Sequence, residues 1–168
     1  QTARDADGKF FEDNGQRAIF FARGVLETVK KLRWAPDVIH CQGWISQLVP
    51  IYLKKAYNGD PIFSGSKIVT SLYGEIADER FSPSFKDNIL FGGITPADVS
   101  QLDTPTGINL AKIAAMYSDG VVFGDKDVDP ELVKFCQEKD IPTLPFNEES
   151  IGNGRYIEEY DGFYQQLQ

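Results

Sequence analysis

The sequence predicts an α/β domain in which a parallel β-sheet lies between layers of helices. Three observations point there. Short apolar runs alternate with helical patterns from residue 16 to residue 146. The runs are rich in β-branched residues, as strands covered on both faces are. Strands separated by helices pair in parallel through crossover connections. The chain has 168 residues, 42% of them hydrophobic, which suffices for one domain with a real core. The predicted domain therefore takes in residues 1–168 as a single unit.

The elements follow in order. Residues 16–32 carry Ile19, Ala22, Leu26 and Val29 at spacings of three and four, the mark of one helical face. Asp13 and Asn14 stand in front as N-cap candidates, and Trp34-Ala35-Pro36 ends the helix. Residues 37–41, Asp-Val-Ile-His-Cys, read as a buried strand. Residues 45–57 read as a helix with Leu48, Ile51, Tyr52 and Ala56 on one side and Pro50 awkwardly inside it, a residue that only a first turn accommodates without loss. Residues 58–61, Asn-Gly-Asp-Pro, end it.

Residues 67–73 form the next predicted strand. The polar stretch 74–106 holds Pro83, Pro96 and Pro105, and short helices are expected at 84–91 and 97–102. A helix at 109–117, a strand at 120–123, a helix at 130–139 capped by Asp129, and a short strand at 142–146 complete the alternation. In residues 155–168, Tyr156, Tyr160, Phe163, Tyr164 and Leu167 fall at helical spacing. They predict a terminal amphipathic helix whose aromatic face docks on the rest of the domain.

Charge excludes some functions. The net charge of −8 disfavours phosphate backbones and anionic lipid, so neither nucleic acid nor membrane is an expected partner. Cys41 and Cys136 are too few and too far apart for a disulfide framework or a zinc motif. No ligand cluster has metal spacing, so no metal and no cofactor are expected. A reducing cytoplasm is the expected compartment. The chain opens with a polar stretch rather than an initiator methionine, and the expectation is that residues precede Gln1.

Ligands of open α/β sheets bind outside the carboxyl ends of the strands. Those ends are residues 40–44, 72–75 and 124–127. The first reads His40-Cys41-Gln42-Gly43-Trp44. His40, the one histidine, is either a sugar or phosphate ligand or a satisfied strand-end residue. Trp44 either stacks on a sugar ring or packs a helix on the sheet. Glu75, Asp78 and Glu79 are either a carboxylate pair or a solvated acidic loop.

The string from Asp13 to Lys54 carries a resemblance. It runs Asp13-Asn14-Gly15-Gln16-Arg17, a helix, Pro36-Asp37-Val38-Ile39-His40-Cys41-Gln42-Gly43-Trp44, and a helix with Leu48-Val49-Pro50-Ile51-Tyr52-Leu53-Lys54. It resembles the first domain of bacterial glycogen synthases and plant starch synthases. Asn109, Lys112, Tyr117, Asp119 and Val121 agree with a second stretch of that family's pattern. The resemblance implies a Rossmann-like half of a GT-B glycosyltransferase, incomplete at its N-terminus. It implies α-glucan and ADP-glucose as partners, with glucose transferred to an α-1,4-glucan with retention at the anomeric carbon.

By the same resemblance, Asp13 stands for the family's acidic residue in the cleft and Arg17 for the arginine one helical turn on. The spacing puts the two on one helical face. The family's strand end reads His-x-His-Asp-Trp. Gln42 takes the place of the second His, which faces the reacting glucose, and Gly43 replaces the Asp. A glutamine exchanges hydrogen bonds but takes no proton near neutral pH. Asp13 and Gln42 are thus the catalytic candidates, and Arg17, His40 and Trp44 the substrate-binding ones.

Other departures reduce the chemistry. The family's Thr-x-His-Asn reads Thr70-Ser71-Leu72-Tyr73 here, and Phe123-Gly124 stands where the family has Val-Ser. The family's Lys-x-Gly-Gly loop and its second domain, with the Arg-Lys pair for the diphosphate, are not in this sequence. A diphosphate leaving group needs cationic or backbone donors where charge develops. Little or no transfer is therefore expected of the isolated chain. The alternative is a catalytically inactive module that binds glucan or another protein. An open sheet edge also leaves a route to homo-oligomers. The terminal helix is expected to imitate the family's last helix, which crosses back onto the first domain.

Overall fold

The computed structural model describes residues 2–168. Four strands form one sheet in the order β1-β2-β3-β4, every neighbouring pair parallel. They are β1 (Val38–Gln42), β2 (Lys67–Leu72), β3 (Gly120–Phe123) and β4 (Thr143–Leu144). The helices are α1 (Asn14–Leu32), α2 (Val49–Ile51), α3 (Phe85–Ile89), α4 (Gly107–Met116), α5 (Pro130–Glu138), α6 (Glu148–Asn153) and α7 (Tyr156–Gln166). The predicted α/β class and parallel sheet stand.

The pleat sorts the strand residues between two faces. On one face, Ile68 belongs to a large core with Ala18, Ala22 and Leu26 of α1 and Leu110 and Ile113 of α4. Leu72, Val121 and Phe123 continue this face beneath α4 and α5, where Leu132, Phe135 and Cys136 close it. The opposite face belongs to α7, where Phe163 meets Val69 and Val122, flanked by Tyr160, Tyr164 and Leu167. A side chain at Gly120 would come within 2.8 Å of the Phe163 ring, so a bare backbone is what lets α7 lie this close.

Local chemistry explains most boundaries. α1 ends with Arg33 in the left-handed region at φ 51°. Asp129 caps α5 as expected, accepting from the Glu131 N–H at 2.9 Å, and Pro130 occupies the first turn. Thr106 caps α4 in the same way, through the Asn109 N–H.

Three expectations change. The single helix expected over 45–57 is a 3-10 turn (Trp44–Ser46), then α2, then a π turn (Tyr52–Ala56). Pro50 sits in the first turn of α2, and the ladder widens beyond it, with the Tyr57 N–H bonding back to the Tyr52 carbonyl at 2.9 Å. The helix expected at 97–102 is a 3-10 segment (Pro96–Asp103) capped by Thr95 and Asp98 in a reciprocal box. α6 was not expected. Asn147 caps it through the Ser150 N–H, and Gly154 stops it at φ 81°.

β1 pairs with β2 only, so its outer edge is free among the described residues.

Candidate functional site

Asp13 and Arg17 meet as their spacing predicts. Asp13 sits at the N-cap position of α1, but its carboxylate does not cap the helix. It takes the Arg17 guanidinium instead, Nε to Oδ1 at 3.0 Å, with Asp13 exposed and Arg17 half-buried. The same guanidinium lies over the Phe11 ring at 4.4 Å, which fixes its plane. The carboxylate oxygens at this corner can accept from hydroxyl groups.

Asn14, beside it, is fully buried. Its Nδ2 donates to the Ala3 carbonyl at 2.7 Å, tying the N-terminal segment to the head of α1. Its Oδ1 and the Oε1 of Gln47 are buried with no hydrogen-bond partner among the described residues. Such oxygens are uncommon in folded proteins. The sequence predicts only a capping role for Asn14, and no spacing or motif singles out Gln47.

At the end of β1, Gln42 is exposed and Gly43 turns the chain at φ 80°. Any side chain at residue 43 would be strained there, which gives Gly43 a physical reason. The turn sets Trp44 into the core, 2% exposed, beside Leu48 and Leu26. The Trp44 backbone N–H donates to Glu75 Oε1 at 2.7 Å. With this burial the indole presents no ring face for a sugar to stack on, and Trp44 acts as packing between the sheet and the following turns.

His40 points to the opposite face, beneath α7. Its Nε2 meets Ser71 Oγ at 2.6 Å, and its Nδ1 meets the Tyr164 hydroxyl. The Tyr160 ring lies 5.4 Å away, centroid to centroid. Burial holds the imidazole neutral, with its pKa lowered from 6.5 to about 4. Burial also raises the pKa of the Tyr160 and Tyr164 hydroxyls. His40 is thus a satisfied histidine covered by the chain's own last helix. Its partners Ser71, Tyr160 and Tyr164 were invisible as a set in the sequence. The spacing of the tyrosines signalled a docking face, but not what it docks on.

The other strand ends are tied together. Asp125 accepts from the Gly74 N–H at 3.1 Å and from the Asp127 N–H at 2.9 Å. Gly74 packs against the Asp127 backbone and Gly124 against the Tyr73 ring, so neither position has room for a side chain. Arg4 clamps Glu79 at 2.7 Å and reaches the Glu75 carbonyl. Glu75 and Glu79 are therefore structural acceptors, Glu79 half-buried and Glu75 exposed, as is Asp78.

Of the five candidates, Asp13, Arg17 and Gln42 reach solvent, His40 lies under α7, and Trp44 is in the core. Among the described residues no group of three or more His, Cys, Asp or Glu side chains could hold a metal ion. No described helix is long and apolar enough to cross a membrane.

Comparison with known proteins adds to this picture. Residues 3–138 match the family model described as the starch synthase catalytic domain. The chain is 34% identical to a glycogen synthase of Clostridium perfringens over 66% of its own length and 23% of that protein. It is 33% identical to a glycogen synthase of Chlorobium limicola over 88% of its length and 26% of that protein. It thus spans about a quarter of the length of these curated relatives. A solved structure, the catalytic domain of starch synthase IV from Arabidopsis thaliana bound to ADP and acarbose, superposes over 83% of the chain and 31% of that domain. Its TM-score is 0.63 at 16% identity, which is a likeness of fold.

Proposed function

Because the chain belongs to the starch synthase catalytic domain family, we propose that it is the acceptor-side part of a glucosyltransferase machinery and holds α-glucan without completing transfer alone. The observation that carries the proposal is the solvent-facing Asp13–Arg17 pair, locked at 3.0 Å and oriented by Phe11 at the head of α1. A carboxylate and a guanidinium side by side match vicinal sugar hydroxyls, which both donate and accept.

Transfer from ADP-glucose asks for more. Gln42 offers hydrogen bonds where the family pattern has a titrating histidine, so it orients a hydroxyl but moves no proton. The loops at the strand ends carry Glu75, Asp78, Glu79, Asp125 and Asp127 against Arg80 and Lys126, a net negative surround that disfavours a diphosphate. In this proposal residues 1–168 take the glucan and not the donor sugar. In this proposal the domain spans the whole chain and works in the cytoplasm. The buried, unpaired thiols of Cys41 and Cys136 support a reducing setting.

Calorimetric titration with maltooligosaccharide and, separately, with ADP-glucose tests this. The expected result is glucan binding without nucleotide-sugar binding, and no glucose incorporation into glycogen. Incorporation by the isolated chain would restore a full transferase reading. Loss of both binding signals would sink the glucan proposal and leave the family membership standing.

A further inference from the structure

We infer that α1 is a docking surface for a second copy of this chain, and that the surface it meets there is the outer side of α6 and α7. The inference starts from where apolar side chains remain open. Phe20 is 81% exposed, Leu32 68% and Trp34 62%, all on α1 or the residues just after it, and Val25 joins them. On the other side of the molecule, Ile157 is 63% exposed, with Ile151 and Tyr156 beside it in sequence. Most of the large exposed hydrophobic side chains thus fall in two patches, a distribution unlike singly scattered surface residues.

The two patches carry opposite charge. Residues 12–34 hold Arg17, Arg23, Lys30, Lys31 and Arg33 against Glu12, Asp13 and Glu27, a net +2 within a chain of net −8; Arg17 is paired with Asp13 and Lys30 with Glu27 and Asp60, which leaves Lys31 and Arg33 as the positive rim of the C-terminal half of α1. Residues 147–168 hold Glu148, Glu149, Glu158, Glu159 and Asp161 against Arg155 alone, a net −4. Apolar centres with rims of matched, opposite sign are the layout of a specific interface. Within one molecule the two patches are held apart by the sheet, because α1 packs on one face and α7 on the other. A second copy can bring them together.

Shape agrees with charge. A hollow of about 520 Å³ lies on the surface of α1, lined by Arg17, Phe20, Phe21, Val25, Thr28 and Val29, so it borders the Asp13–Arg17 pair at one end. Gly24 forms its floor, and a side chain there would meet no atom within 4 Å. Glycine within a helix costs about 1 kcal/mol relative to alanine, and here it leaves the hollow open for an incoming side chain. Ile157, which projects from α7 with Asp161 one turn on, supplies an apolar knob with an acid beside it.

Analytical ultracentrifugation over a range of protein and salt concentrations tests the contact. The native chain is expected to associate reversibly, and more weakly at high salt. Phe20→Glu should weaken association by about tenfold or more. Lys31→Glu with Arg33→Glu should weaken it as well, and so should Glu149→Lys with Glu158→Lys. Mixing these two charge-reversed chains should restore association between them. Circular dichroism checks that each variant folds. A strict monomer at high concentration would give α1 to some other occupant and overturn the inference. Association that ignores both charge reversals would overturn it too, and would move the contact to the free edge of β1.

Discussion

Acidification should loosen α7, and the size of the effect follows from His40. The folded protein keeps this imidazole neutral down to about pH 4, whereas a free histidine takes its proton near 6.5. The unfolded chain therefore binds a proton that the folded chain refuses as the pH falls between these values. Stability from this group is complete above about pH 6.5 and declines toward pH 4. Each tenfold in proton affinity is about 1.4 kcal/mol, so a fully enclosed ring would contribute about 3 kcal/mol. His40 is only half-buried, and solvent reduces this to about 1–2 kcal/mol. The assay is urea unfolding at a series of pH values for the native chain and for His40→Gln. Glutamine keeps a neutral hydrogen-bonding group and has nothing to titrate there. The native chain should lose about 1–2 kcal/mol more than the variant between pH 7 and pH 4. Hydrogen exchange should report the loss first in α7, because the Tyr164 hydroxyl is the ring's partner on that helix. Identical pH slopes for the two proteins would refute the reasoning.

Other outcomes follow from particular contacts. Phe163→Ala should cost about 3 kcal/mol, because the ring is 4% exposed and fills the space between Val69 and Val122; removing residues 155–168 should lower the thermal midpoint further. Gly107→Ala should destabilise strongly in thermal melts, since an added methyl would collide with the Ile76 backbone carbonyl. Asp13→Asn should change unfolding free energy by no more than about 1 kcal/mol, because the ion pair is open to solvent. The same variant should reduce maltooligosaccharide affinity in calorimetry if the pair holds sugar hydroxyls.

What the sequence determined is local, and its physics is local too. The β-branched runs around Ile39, Val69 and Val121 required buried parallel strands, and they pair in that order. Asp129 before Pro130 specified a helix start through one side chain and one backbone N–H. Asp13 and Arg17 met because a spacing of four places side chains on the same side of a helix. The motifs from Asp13 to Trp44 were enough to indicate the family to which the chain belongs.

Only the tertiary structure decided which of those motif residues face solvent. Trp44 and His40 stand four residues apart, yet one enters the core and the other lies beneath a helix whose tyrosine is 124 positions away. No periodicity reports such a pairing, because it depends on which face α7 covers after the chain has closed. The break of 45–57 into three kinds of turn was equally hidden. The apolar spacing of Leu48, Ile51 and Tyr52 suits a helix, but the ladder around Pro50 yields to packing against Leu26 and Ile113 in the same core. The pattern of apolar residues fixes what must be buried, and long-range packing fixes what is left outside to act.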